Sequence, residues 1–115
     1  MSMYRVKRIY DEPEKEDGYR VLVDRLWPRG VSKERAALDE WNKDVAPSAD
    51  LRVWFGHDSA KFEEFSVRYR EELRGNEALA NFKRASAKHN TVTLLYAARD
   101  PKINHAVVLR DFLTE

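Results

Sequence analysis

Apolar and polar positions alternate from Met3 to Tyr10, with Tyr4 and Val6 set against Arg5 and Lys7, the period of a half-covered strand. Asp11 to Gly18 is acidic, free of aliphatic and aromatic residues and broken by Pro13 and Gly18, so it reads as an exposed, mobile loop. Tyr19 to Asp24 predicts a second strand. Its consecutive Val21, Leu22 and Val23 ask for burial on both faces, as a parallel sheet provides. Pro28 and Gly30 then turn the chain. Ser32 can cap a short helix to about Leu38, with Glu34 in its first turn where negative charge suits the helix dipole. Leu38 to Trp41 predicts a short third strand, and Lys43 to Ser48 a loop. Ser48 can cap a helical turn carrying Leu51, Trp54 and Phe55, closed by Gly56.

From Ser59 to Arg74 the stripe Phe62, Phe65, Tyr69 and Leu73 has the three- and four-residue spacing of an amphipathic helix, ended by Gly75-Asn76. A further helix from Glu77 to about Lys88 is expected to bury Leu79 or Ala78, Phe82 and Ala85. Thr91 to Ala98 is the best central strand. Asp100-Pro101 reads as N-cap and first residue of a closing helix, Lys102 to Leu113, with Ala106, Leu109 and Leu113 inward. Strands separated by helices imply crossovers and a mainly parallel sheet, hence a small α/β sandwich with helices on both faces.

Composition narrows the function classes. At 115 residues the chain is expected to form one domain with one core. Its 21 Lys+Arg against 20 Asp+Glu give a net charge of +1, which offers no global pull toward nucleic acid or anionic membrane. With zero Cys, disulfides, thiolate catalysis and Cys-ligated metals fall away together. No apolar run is long enough to cross a bilayer, and the first residues lack the apolar core of a signal peptide, so a cytoplasmic protein is expected. His57, His89 and His105 form no metal-binding spacing, so no metal is expected. The four glycines form no phosphate-binding loop.

The candidate site is the end of the second strand. There Asp24, Arg25, Trp27 and Arg29 follow an apolar run, where an open α/β sheet binds ligands. Guanidinium forks match phosphate and carboxylate, and the structural alternative is an ion pair between Asp24 and an arginine. Arg8 falls on the inward register of Val6 and Tyr10, and either reaches the same crevice or marks a bulge or a solvent-exposed strand end. Beyond the last strand, Asn104 is favoured over His105 as a hydrogen-bond donor to ligand. Asp100 reads as a cap, and Tyr96 as a core aromatic.

The ordered strings Arg8-Ile9-Tyr10-Asp11, Asp17 to Gly30, Trp41 to Ser48, Leu51-Arg52-Val53-Trp54-Phe55 and Leu94 to Asp100 closely resemble the YeaO-like branch of the domain-of-unknown-function 488 family. The resemblance implies a three-layer, Rossmann-like α/β domain, prokaryotic and cytoplasmic, with no established reaction or cofactor. Carried over by motif, Arg8, Asp24, Arg25, Trp27, Arg29, Lys43, Pro47 and Ser48 match signature positions, and Asp100 and Asn104 match the last motif. Broader relatives carry Cys in the final strand and a Cys-His-Arg element where this chain has Asn104-His105-Ala106, so their thiol chemistry is out of reach here.

The reading that follows is a small anionic, phosphate-bearing ligand held by Arg25 and Arg29, with Lys43 and Ser48 completing the cradle and Asp24 orienting them. Whether catalysis follows stays open. Asp24 is the one strand-end carboxylate nominated as a general base or Mg²⁺ ligand. The alternative is a nucleic-acid or protein-partner module using Arg5, Lys7, Arg8, Arg25 and Arg29 around Trp27.

Overall fold

The leucine-rich run near the carboxyl end becomes the middle of the sheet. In the computed structural model, which describes residues 2–115, strand β4 (Thr91–Tyr96) pairs in parallel with β1 (Met3–Arg8) on one side and β2 (Tyr19–Leu22) on the other. A two-residue β3 (Glu40–Trp41) extends β2, giving the order β1-β4-β2-β3. Leu94 lies opposite both Val6 and Val21, so apolar residues align across the strands.

The two faces are covered unequally. Val21, Val23, Val92, Leu94 and Tyr96 pack under α2 (Ala49–Phe55), α3 (Phe62–Arg74), α4 (Glu77–Ser86) and α5 (His105–Leu113). On the other face Ile9, Leu22 and Leu95 meet Val31 and Ala36, the latter in a single-turn α1 (Lys33–Ala36), with Trp27, Leu38 and Trp41 alongside. The result is the expected three-layer α/β sandwich with one thick and one thin layer. Handedness accounts for this. The steps β1 to β2 and β2 to β3 run one way across the sheet, and their connections lie on the thin face. The return from β3 to β4 carries α2, α3 and α4 over the thick one, as right-handed crossovers require.

Several elements differ from their sequence-based bounds. The acidic loop is not free. Lys15–Asp17 form a 3-10 turn, Asp17 is only 1% exposed, and Thr93 Oγ1 donates to its carbonyl at 2.6 Å. On the thin face, which has only the single-turn α1, this turn adds cover through polar groups. Helix α4 buries Ser86 and leaves Ala85 exposed, because the Ser86 hydroxyl pairs with Tyr4 Oη at 2.7 Å.

Helix α5 starts at His105, not Lys102. Asp100 caps only a turn through the Lys102 and Ile103 N–H groups, and the helix N-cap is Asn104, whose Oδ1 accepts from Val107 N at 3.0 Å. Asn104 is buried and its amide also donates to the Asp100 carbonyl, so Asn104→Ala is expected to cost about 1–2 kcal/mol, read as a lower urea midpoint. Among the described residues no helix is long and apolar enough to cross a membrane.

Candidate functional site

Past the end of β2, Val23 is fully buried and Asp24 emerges at the crevice between β2 and β4, whose following segments leave to opposite faces of the sheet. The carboxylate ties three elements together. Its Oδ2 accepts from Ala97 N at 3.0 Å, just past β4, and its Oδ1 lies 3.1 Å from Nε2 of His105, the first residue of α5. The same Nε2 is 3.1 Å from the Val23 carbonyl. Both neighbours are acceptors, so Nε2 must carry its hydrogen. A single N–H aimed at Val23 O leaves Asp24 Oδ1 buried without a hydrogen bond, within Coulombic reach of the imidazole. Nearby, Tyr69 is fully buried. Its hydroxyl donates to the Val45 carbonyl at 2.5 Å, and burial, reinforced by Glu72 and Asp24, pushes its pKa well up.

Around this floor opens a cleft of about 720 Å³, within the range of small-molecule sites. One wall is apolar, with Phe55, Phe65 and Ile103. Arg25, Arg29, Arg52 and Arg99 line the rest together with His57, His105, Asp24 and Asp100. The Lys102 and Ile103 N–H groups hold Asp100 below the usual carboxylate range. None of the four arginines takes part in an ion pair found among the described residues. Arg25 is partly engaged, donating from Nη2 to the Pro47 carbonyl at 3.1 Å, while Arg29, Arg52 and Arg99 are exposed.

Of the eight residues picked out in the sequence, Asp24, Arg25, Trp27 and Arg29 meet in this cleft. The other four do not. Arg8 donates from Nε to the Ala98 carbonyl and sits over the Tyr10 ring, so it braces the end of β4. Lys43 lies 4.1 Å above the Trp41 ring. Ser48 caps α2 and donates to Glu72, and Asn104 is the cap of α5. Within the cleft Trp27 is partly structural, its indole donating to the Val31 carbonyl and meeting Trp41 edge-on. The cap turns Asn104 inward, 1% exposed, and the next residue, His105, faces Asp24 and lines the cleft.

Sequence reasoning also missed Arg52, which reads as an ordinary helix-surface arginine, and His57. His57 has φ 58° directly after Gly56, an uncommon conformation that local strain allows at such sites. The one available signal was its place next to a helix-ending glycine. Tyr96 is the expected core aromatic, 2% exposed. Among the described residues no cluster of three or more His, Asp or Glu could hold a metal ion.

A family model described as "Inactive DUF488-N3 subclade" matches residues 3–115. Curated relatives include "Uncharacterized protein YeaO" of Escherichia coli, 46% identical over 107 residues, which take in 93% of each chain. Another is "Uncharacterized protein Rv3073c" of Mycobacterium tuberculosis, 43% identical over 109 residues, 95% of this chain and 92% of the relative. No solved structure matches the chain.

Proposed function

Because the chain belongs to the DUF488 family, in the subclade described as inactive, we propose that its cleft serves for binding and takes a small anionic, phosphate-bearing ligand. The observation that carries this is four arginines from three separate segments around one cleft, none neutralised by a carboxylate partner among the described residues. Guanidinium groups so placed give phosphate paired, charge-assisted hydrogen bonds. Asp24 acts as a positioning residue, since both of its oxygens face protein groups. The reading takes the chain as one domain in a reducing cytoplasm, which its cysteine-free composition suits.

The basic surface needed for a nucleic-acid module is divided in the fold. Lys7 pairs with Glu14 and Asp17, Arg5 donates to the Glu16 carbonyl, and Arg8 is held by Ala98, so these cations do not join Arg25 and Arg29.

A thermal-shift panel of inorganic phosphate and phosphate monoesters, with chloride at equal ionic strength as control, tests the proposal. A ligand at a hundred times its Kd adds about 2.7 kcal/mol, several degrees for a domain of this size. Arg29→Ala/Arg99→Ala is expected to keep its unliganded Tm, since both side chains are exposed, and to lose most of the shift. No phosphate exceeding chloride would overturn the reading.

A further inference from the structure

The cleft's size and the division of its walls say more about the ligand than its charge does. Resting on the phosphate-binding reading, we propose that the cleft takes a phosphate monoester with a flat, aromatic body, and that simple anions and polyol phosphates are poor ligands.

Space comes first. A volume of about 720 Å³ is worth some two dozen waters at about 30 Å³ each, and a bare tetrahedral anion would fill a small part of it. The remainder would stay wet against Phe55, Phe65 and Ile103, an arrangement that any apolar body entering with the phosphate improves.

The walls are also ordered by depth. Arg29, Arg52 and Arg99 are exposed, whereas Phe55 is 5% and Phe65 1% exposed, so the anion is met at the mouth and carbon at the floor. Phe55 and Phe65 are stacked on each other at 4.2 Å with 20° between their planes, so each covers one face of the other and the pair meets the cleft as an aromatic stack, against which a further ring packs edge-to-face better than a branched chain does.

Beside this apolar part of the lining lies the imidazole of His105, next to Asp24. Its Nε2 edge faces Val23 O and Asp24, so the rest of the ring forms its contribution to the cleft. It accepts a flat neighbour edge-on or face-on. A polyol would instead turn hydroxyls toward Phe55, Phe65 and Ile103 and leave those unpaired, which is costly.

The test is calorimetric titration of the wild-type chain with four probes: phenyl phosphate, glycerol 3-phosphate, inorganic phosphate and phenol. Phenyl phosphate is expected to bind at least tenfold more tightly than either glycerol 3-phosphate or inorganic phosphate, with phenol weakest. Ile103→Ser, a half-buried position at the cleft wall, is expected to narrow that gap without changing inorganic phosphate binding. Equal affinities for the three phosphates would overturn the aromatic-body inference while leaving an anion site in place. Binding by none of them would overturn the phosphate reading itself. Phenol binding as tightly as phenyl phosphate would overturn both, because the arginines would then contribute nothing.

Discussion

Asp17→Ala is expected to destabilise the protein by about 3–5 kcal/mol, a large part of the about 5–15 kcal/mol that holds a domain folded. The carboxylate is 1% exposed and faces two cations, Arg20 Nη1 at 2.5 Å and Lys7 Nζ at 3.1 Å, and it accepts from Glu14 N at 2.9 Å. Arg20 and Lys7 are themselves 6% and 12% exposed, so removing the anion leaves Arg20 near-buried with no carboxylate partner and Lys7 with the exposed Glu14 alone. Glu14→Ala, which removes a partner that is 60% exposed, is expected to cost under about 1 kcal/mol. Urea unfolding of the two variants decides the matter, and a loss below 1 kcal/mol for Asp17→Ala would remove the turn's structural role.

The same group sets an acid limit. Burial alone would raise the Asp17 pKa, but the Glu14 N–H and the hydrogen bonds from Lys7 and Arg20 outweigh it and hold the carboxyl below the usual aspartate value. Its stabilisation is therefore complete above that usual value and lost as pH falls through the lowered folded one. Lys7 runs the other way. Burial opposes its charge, Glu14 and Asp17 more than restore it, and its raised pKa keeps its contribution until strongly alkaline pH. Stability from this pair is expected to be flat across neutral pH.

Gly18→Ala is expected to cost about 2–6 kcal/mol. At φ 65° and ψ −129° the backbone is in a region that non-glycine residues avoid, worth about 1–3 kcal/mol of strain. A Cβ there would also stand 2.4 Å from the Thr91 carbonyl oxygen, a main-chain atom of the central strand that cannot step aside, adding about 1–3 kcal/mol of overpacking. Gly30 separates the two effects, having φ 74° but nothing within 4 Å of its added Cβ. Gly30→Ala is expected to show the strain alone. Equal losses for the two variants by thermal unfolding would mean that the close approach to Thr91 does not matter.

Much of the architecture was legible because it rests on repeated local signals. The run Val21-Leu22-Val23 required burial on both sides, the Phe65-Tyr69-Leu73 stripe required a helix, and the parallel sheet follows from their alternation. What stayed hidden depends on how separate elements are set side by side. Asp17 reads as one acid among many in an exposed loop, since the residues that bury it, Lys7, Arg20 and Thr93, come from three different strands. The places of Asn104 and His105 stayed hidden because one residue of helix onset decides which side chain is the cap and which faces Asp24. At the site, strand-end position located Asp24, Arg25, Trp27 and Arg29. Arg52 came from a helix surface with no pattern to mark it.

The central place of β4 has a consequence for how the protein is made. Met3 finds its partner in Thr91, and β2 meets the same late strand, so during synthesis neither β1 nor β2 has its main neighbour until Thr91–Tyr96 has appeared. At about 5–20 residues per second the first strand waits several seconds as an open edge. Arg5 and Lys7, alternating with Tyr4 and Val6, put charge on a strand that stays at the sheet's edge even when folded, the arrangement that opposes edge-to-edge pairing between chains.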